Sequence, residues 1–192
     1  MKRKTFFKKI PSEEITPLEI YMRFLDDKNS YFFESVEGGE KWAKYSIIGL
    51  PTDKKIKLSD SPLDEIDDFM KSQKVEKIEG LPDFTGGLVG YFSYDTIRHI
   101  EKKLSNSKKP QLNYAEISLM ISDELIVYDN YEKNLFIIVN DSEKNEKLAN
   151  LRIDEILQQI NTPLEDQDNS KKNKIEFSSS VSKKDYLQNV EK

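Results

Sequence analysis

Three apolar runs follow one another closely late in the chain: Ile117 to Ile121, Glu124 to Tyr128 and Leu135 to Val139, separated only by Ser122-Asp123 and Asn130 to Asn134. Connections this short join antiparallel neighbours, so the runs predict a meander. Further β-rich segments precede it, bounded by Gly or Pro: Tyr31 to Ser35, Tyr45 to Leu50, Lys55 to Leu58 and Gly86 to Tyr94. Thr5-Phe6-Phe7 with Ile10 predicts a short first strand.

Helix signals interrupt the strands. Thr16-Pro17-Leu18-Glu19 supplies an N-cap, a proline at the first helical position and a capping-box carboxylate. Ile20, Tyr21, Phe24 and Leu25 then share one face. The punctuation returns at Ser61-Pro62-Leu63-Asp64, ahead of Ile66, Phe69 and Met70. A third, longer helix is expected behind an Asp141-Ser142 cap, with Leu148, Leu151, Ile153, Ile156, Leu157 and Ile160 as its stripe and Thr162-Pro163 as its stop. The fold class expected is α+β: a strand-rich antiparallel sheet packed with three to four helices.

Residues 1–162 thus form one domain, and the polar stretch 163–174 reads as a linker or loop. Ile175-Glu176-Phe177 is strand-like, and Ser182-Lys183-Lys184-Asp185 opens a helix whose apolar face reaches only Tyr186, Leu187 and Val190. That helix has a start signal and no stop signal. The reading is a segment cut from a longer polypeptide, with a frayed C-terminus as the alternative.

Hydrophobic residues make up 36% of the 192, enough for a real core. The formal charge of −5 gives no field favouring nucleic acid or an anionic membrane. The absence of cysteine removes thiolate chemistry and disulfides and suits a cytoplasmic location. No run approaches the roughly 20 apolar residues of a membrane span.

Catalytic signals are sparse. His99 is the only histidine and has no cysteine to cooperate with, so it reads as structural. Asp64-Glu65 and Asp67-Asp68 fall on a solvated helix face. Gly86 to Phe92 lacks the Lys-Ser/Thr and the spacing of a phosphate loop and reads as a strand whose glycines admit a close neighbour. Asp95 and Arg98 have the spacing of an ion pair on one turn.

The stretch "YFFES" is different: three aromatics run into Glu34 and Ser35. Binding an aromatic amino acid needs an apolar slot, an acceptor for the ammonium and donors for the carboxylate. Glu34 suits the ammonium and Ser35 adds a hydroxyl. A strand surfacing before its turn accounts for the same residues.

"FFESVEGG" with "KYSIIG", "GGLVGYFSYDTIRHIE" and "FSSSVSKKDYLQNVEK" come in an order and spacing similar to landmarks of the N-terminal part of anthranilate synthase component I. The resemblance covers nearly the whole chain. Phe32-Phe33 stands where that family commonly has Leu-Leu, Lys44 where it has Arg, and Ser93 where it has Gly.

The resemblance implies conversion of chorismate and ammonia to anthranilate and pyruvate, with Mg²⁺ assisting and a glutamine amidotransferase subunit supplying the ammonia. It places the chorismate and magnesium sites in a larger C-terminal region that residues 175–192 would begin, leaving this fragment inactive alone. It makes Glu34 and Ser35 part of a feedback pocket for L-tryptophan, with Lys44, Tyr45 and Ser46 as further support. Aminodeoxychorismate synthase component I, with a similar N-terminal domain, and a freestanding binding module are the alternatives.

Overall fold

The computed structural model describes residues 2–26, 28–34, 44–58, 61–104, 115–163 and 178–191. In chain order these form β1 (Arg3–Pro11), α1 (Pro17–Arg23), β2 (Asn29–Phe33), β3 (Tyr45–Thr52), α2 (Pro62–Ser72), β4 (Gly87–Phe92), β5 (Ile117–Ser122), β6 (Glu124–Asp129), β7 (Asn134–Ser142), α3 (Glu146–Asn161) and α4 (Lys183–Val190). Five strands make one antiparallel sheet in the order β1-β7-β6-β3-β2. β4 and β5 pair separately. The class is α+β, as expected.

The apolar continuity of β6 and β7 follows from burial on both faces. On one face, Phe6, Ile48, Ile126, Leu135, Ile137 and Val139 meet Ile20 of α1, Phe24 just after it, and Ala149, Ile153, Ile156 and Ile160 of α3. On the other, Leu125, Val127, Phe136 and Ile138 pack with Tyr45, Ile47, Leu81 and Phe84. Each fully buried Ile or Leu here contributes about 1.5–3 kcal/mol relative to exposure.

The meander is broken. β5 does not pair with β6, because Ser122 stays in β5 opposite Gly87 and only Asp123 separates the two strands. One residue cannot close a hairpin. Instead the chain bends at Asp123, whose carbonyl accepts the Asn140 N–H at 2.8 Å. Asp123 is held there by Arg3 and by Lys54 Nζ at 2.9 Å.

Lys55 to Leu58 does not form a strand either. It touches β5 through a single bridge, Lys55 to Met120, supported by Ile56 N–H to the Leu119 carbonyl at 3.2 Å. β7 runs past its expected end to Ser142, because Asp141 and Ser142 find partners in Lys4 and Arg3. The Asp141-Ser142 cap is therefore displaced: a 3₁₀ turn, Glu143–Asn145, precedes α3. α3 ends before Thr162-Pro163 as expected.

The α1 capping box forms: Glu19 N–H donates to Thr16 Oγ1 at 3.2 Å, and Thr16 N–H to Glu19 Oε2 at 2.8 Å. The Thr16 backbone bond, then its hydroxyl, hold the Glu19 carboxyl below its usual range. At α2 the Ser61 side chain makes no cap bond, and its N–H is taken by Glu65 Oε1 at 3.3 Å. Ser182 caps α4, accepting from Asp185 N–H at 3.1 Å. The expected strand at 175–177 and the linker from 164 to 174 lie outside the described residues.

Candidate functional site

β2 alternates its aromatics between two faces. Phe32, opposite Ile48, turns toward α1 and stacks on Tyr21 with ring centroids 5.4 Å apart. Tyr31 and Phe33 turn the other way, 5.0 Å apart. Tyr31 lies opposite Gly49, and its ring occupies the space where a side chain would stand: a Cβ at Gly49 would be 1.8 Å from Tyr31 Cε1. Beyond the glycine the phenol reaches Ser122 Oγ at 2.7 Å, tying β2 to the bend at Asp123. Burial pushes the Tyr31 phenol up to about 12, against a smaller lowering by the Ser122 bond.

Glu34 follows as the first residue beyond the strand, and it is exposed. Ser35 lies outside the described residues. Phe33 pairs with Ile47, so the exit of β2 stands beside the start of β3 and hence beside Lys44, Tyr45 and Ser46. Four of the five expected site residues therefore share one end of the sheet.

The side chains of Lys44, Tyr45 and Ser46 already have partners. Lys44 Nζ lies 3.5 Å from Asp129 Oδ2 and 5.2 Å from the Tyr45 ring centroid. The Tyr45 side chain, then Asp129, hold its ammonium above the usual range. Ser46 is fully buried and accepts from Asn130 Nδ2 at 3.0 Å. Asp129, also buried, takes the N–H groups of Tyr131 at 3.0 Å and Glu132 at 2.9 Å on Oδ1. Lys44 and Ser46 thus brace the turn between β6 and β7. Glu34 is an exposed carboxylate at this end, beside the exit of β2.

The remaining candidates keep structural roles. Arg98 Nε and Nη2 both reach Asp95 Oδ1, at 3.0 and 2.7 Å, within the 3₁₀ turn Tyr94–His99. His99 Nε2 lies 2.9 Å from Glu116 Oε2. Among the described residues no three His, Asp or Glu side chains converge as a metal site. No described helix is long and apolar enough to cross a membrane. Sequence reasoning missed the cluster of Arg3, Lys54, Asp123 and Asn140, whose members come from four distant segments.

β2 and β3 thus bring Glu34, Lys44, Tyr45 and Ser46 to one end of a five-stranded antiparallel sheet. Residues 28–192 match the family described as chorismate binding enzyme, and the chain belongs to that family. Anthranilate synthase component 1 of Pseudomonas aeruginosa is 38% identical over 171 residues, covering 78% of this chain and 35% of the relative. The protein of the same name from Acinetobacter calcoaceticus is 36% identical over 202 residues, covering 92% and 40%. The crystal structure of anthranilate synthase component I from Streptococcus pneumoniae TIGR4 superposes with a TM-score of 0.53 at 19% identity, over 81% of this chain and 37% of that one, and shares the fold. The chain spans about two-fifths of the length of these relatives, 35% to 40%.

Proposed function

We propose that this chain is the N-terminal, tryptophan-binding and feedback-regulatory portion of an anthranilate synthase component I. The observation that carries the reading is sequence identity of 36–38% to relatives of that name over most of the chain. In this reading residues 1–162 are the regulatory domain, 163–174 a linker and 175–192 the start of a chorismate-binding region. That region holds Mg²⁺ and converts chorismate and ammonia to anthranilate and pyruvate, as a lyase in the cytoplasm. A glutamine amidotransferase subunit delivers the ammonia, and residues 1–192 alone are inactive.

Glu34 supports the pocket assignment, being an exposed carboxylate just beyond an aromatic strand. Its charge meets the α-ammonium of tryptophan and Ser35 adds a hydrogen bond. Lys44, Tyr45 and Ser46 act from behind, fixing where β3 begins relative to the exit of β2. Inhibition follows if tryptophan binds one arrangement of the two regions better than the other.

The test has two arms on the full-length protein. Product analysis with chorismate, ammonia and Mg²⁺ is expected to yield anthranilate, and an aminodeoxychorismate product overturns the assignment. A Glu34→Ala, Ser35→Ala double variant is expected to retain activity and lose tryptophan inhibition. Inhibition unchanged from wild type removes these residues from the role.

A further inference from the structure

A separate cleft of about 210 Å³ opens where α2 and the residues after it face the start of β4. It lies at the Asp123 end of β6, whereas Glu34 and Lys44 lie near the Asp129 end, six residues or roughly 20 Å away along the strand. The cleft is thus independent of the site proposed above. Its walls are of two kinds. Phe69, Met70 and Ile121 make an apolar slot, and Arg3, Asp123 and Asn140 make a polar end.

The polar end is rigid. Asn140 is buried, accepts from Thr5 Oγ1 at 2.6 Å and donates through Nδ2 to the Thr85 carbonyl at 2.6 Å. Gly86, at φ +133°, makes room for it: a Cβ there would stand 2.4 Å from Nδ2. This is the close neighbour expected of the glycine-rich segment, and it is the Asn140 amide.

The charge at that end is positive. Asp123 is answered twice, by Arg3 and by Lys54, and Lys74 adds a further cation to the lining. Arg3 spends only Nη2, on Asp123 and on the Asn140 carbonyl at 3.2 Å. Among the described residues its Nε and Nη1 have no hydrogen-bond partner, although its side chain is only 21% exposed. A half-spent guanidinium held in place beside an apolar slot is matched to a planar carboxylate on an apolar body.

We propose that this cleft binds a small amphipathic monocarboxylate, with its ring or branched chain against Phe69, Met70 and Ile121 and its carboxylate on Arg3. The step is binding alone and needs no reaction.

Phenylacetate is the probe, titrated into the full 192-residue chain and followed residue by residue through amide NMR shifts. Saturable shifts are expected at Gly86, Gly87 and Ile121 with a Kd on the order of 1 mM, as suits about ten heavy atoms. Phenylacetamide, lacking the charge, and acetate, lacking the apolar body, are expected to bind at least about 10-fold more weakly. Arg3→Gln is expected to weaken phenylacetate about 10-fold. Because Arg3 also holds Asp123, Met70→Trp supplies a second variant that fills the slot without touching the charges, and it is expected to abolish the shifts. Phenylacetamide binding as tightly as phenylacetate, Met70→Trp binding unchanged, or no saturation at the cleft overturns the proposal.

Discussion

Replacing Gly49 by alanine tests the join between β2 and the rest of the sheet. The new Cβ would lie 1.8 Å from Tyr31 Cε1 and 2.4 Å from Cζ. Carbon atoms settle at about 3.5–4.0 Å, so the ring must retreat by roughly 2 Å. That retreat breaks the 2.7 Å contact with Ser122 Oγ, between residues 7% and 4% exposed. Overpacking costs about 1–3 kcal/mol and the orphaned hydroxyls about 1–3 more. The narrower unfolded ensemble of alanine offsets about 0.4–1 kcal/mol. The net expectation is about 3 kcal/mol, or a Tm lower by about 6–12 °C for a chain of this size.

Thermal melts followed by circular dichroism measure it, and a double-mutant cycle identifies the cause. Tyr31→Val removes the ring, so Gly49→Ala on that background is expected to cost close to nothing. A single-variant shift below about 2 °C, or an undiminished penalty on the Tyr31→Val background, refutes the packing argument.

Two further outcomes follow from buried groups. The Tyr31 phenol loses its proton near pH 10 when unfolded and at about 12 when folded, so the folded state keeps more protons between those values. Stability from this group is complete below pH 10 and falls by about 2–3 kcal/mol as pH rises to 12; denaturant titrations across that range should show a shallower decline in Tyr31→Phe. Asp129→Ala strips the acceptor from the Tyr131 and Glu132 N–H groups and leaves Lys44 without its anion, and should cost about 2–4 kcal/mol by urea denaturation. Asp129→Asn retains an acceptor oxygen and should cost less than half as much. Equal losses in the two variants would place the effect elsewhere.

Local chemistry was readable from residue order, and distant chemistry was not. Thr16 and Glu19 announce α1 because both halves of the capping box lie within four residues. β6 and β7 announce themselves because burial on both sides leaves little room for polar residues. The bend at Asp123 stayed hidden, since the side chains that hold it, Arg3 and Lys54, lie 120 and 69 residues away. The extension of β7 to Ser142 has the same origin, in pairing with Arg3 and Lys4. At the candidate site the emergence of Glu34 was legible in the motif. The commitment of Lys44 and Ser46 to the turn at Asp129 and Asn130 was not, because it joins segments far apart in sequence, 84 residues for Ser46 and Asn130.

The pairing of the first strand with the last of the five carries a cost in time. Arg3 meets Ser142 and Pro11 meets Asn134, so a nascent chain cannot complete its sheet until residues past 134 have left the ribosome. At about 5–20 residues per second, Phe6 and its neighbours wait roughly 7–28 s for a permanent partner. The lysines at positions 2, 4, 8 and 9 surround that waiting segment. Their mutual repulsion between chains guards the strand while it waits, and goes on guarding it afterwards, since β1 ends as the edge strand of the sheet.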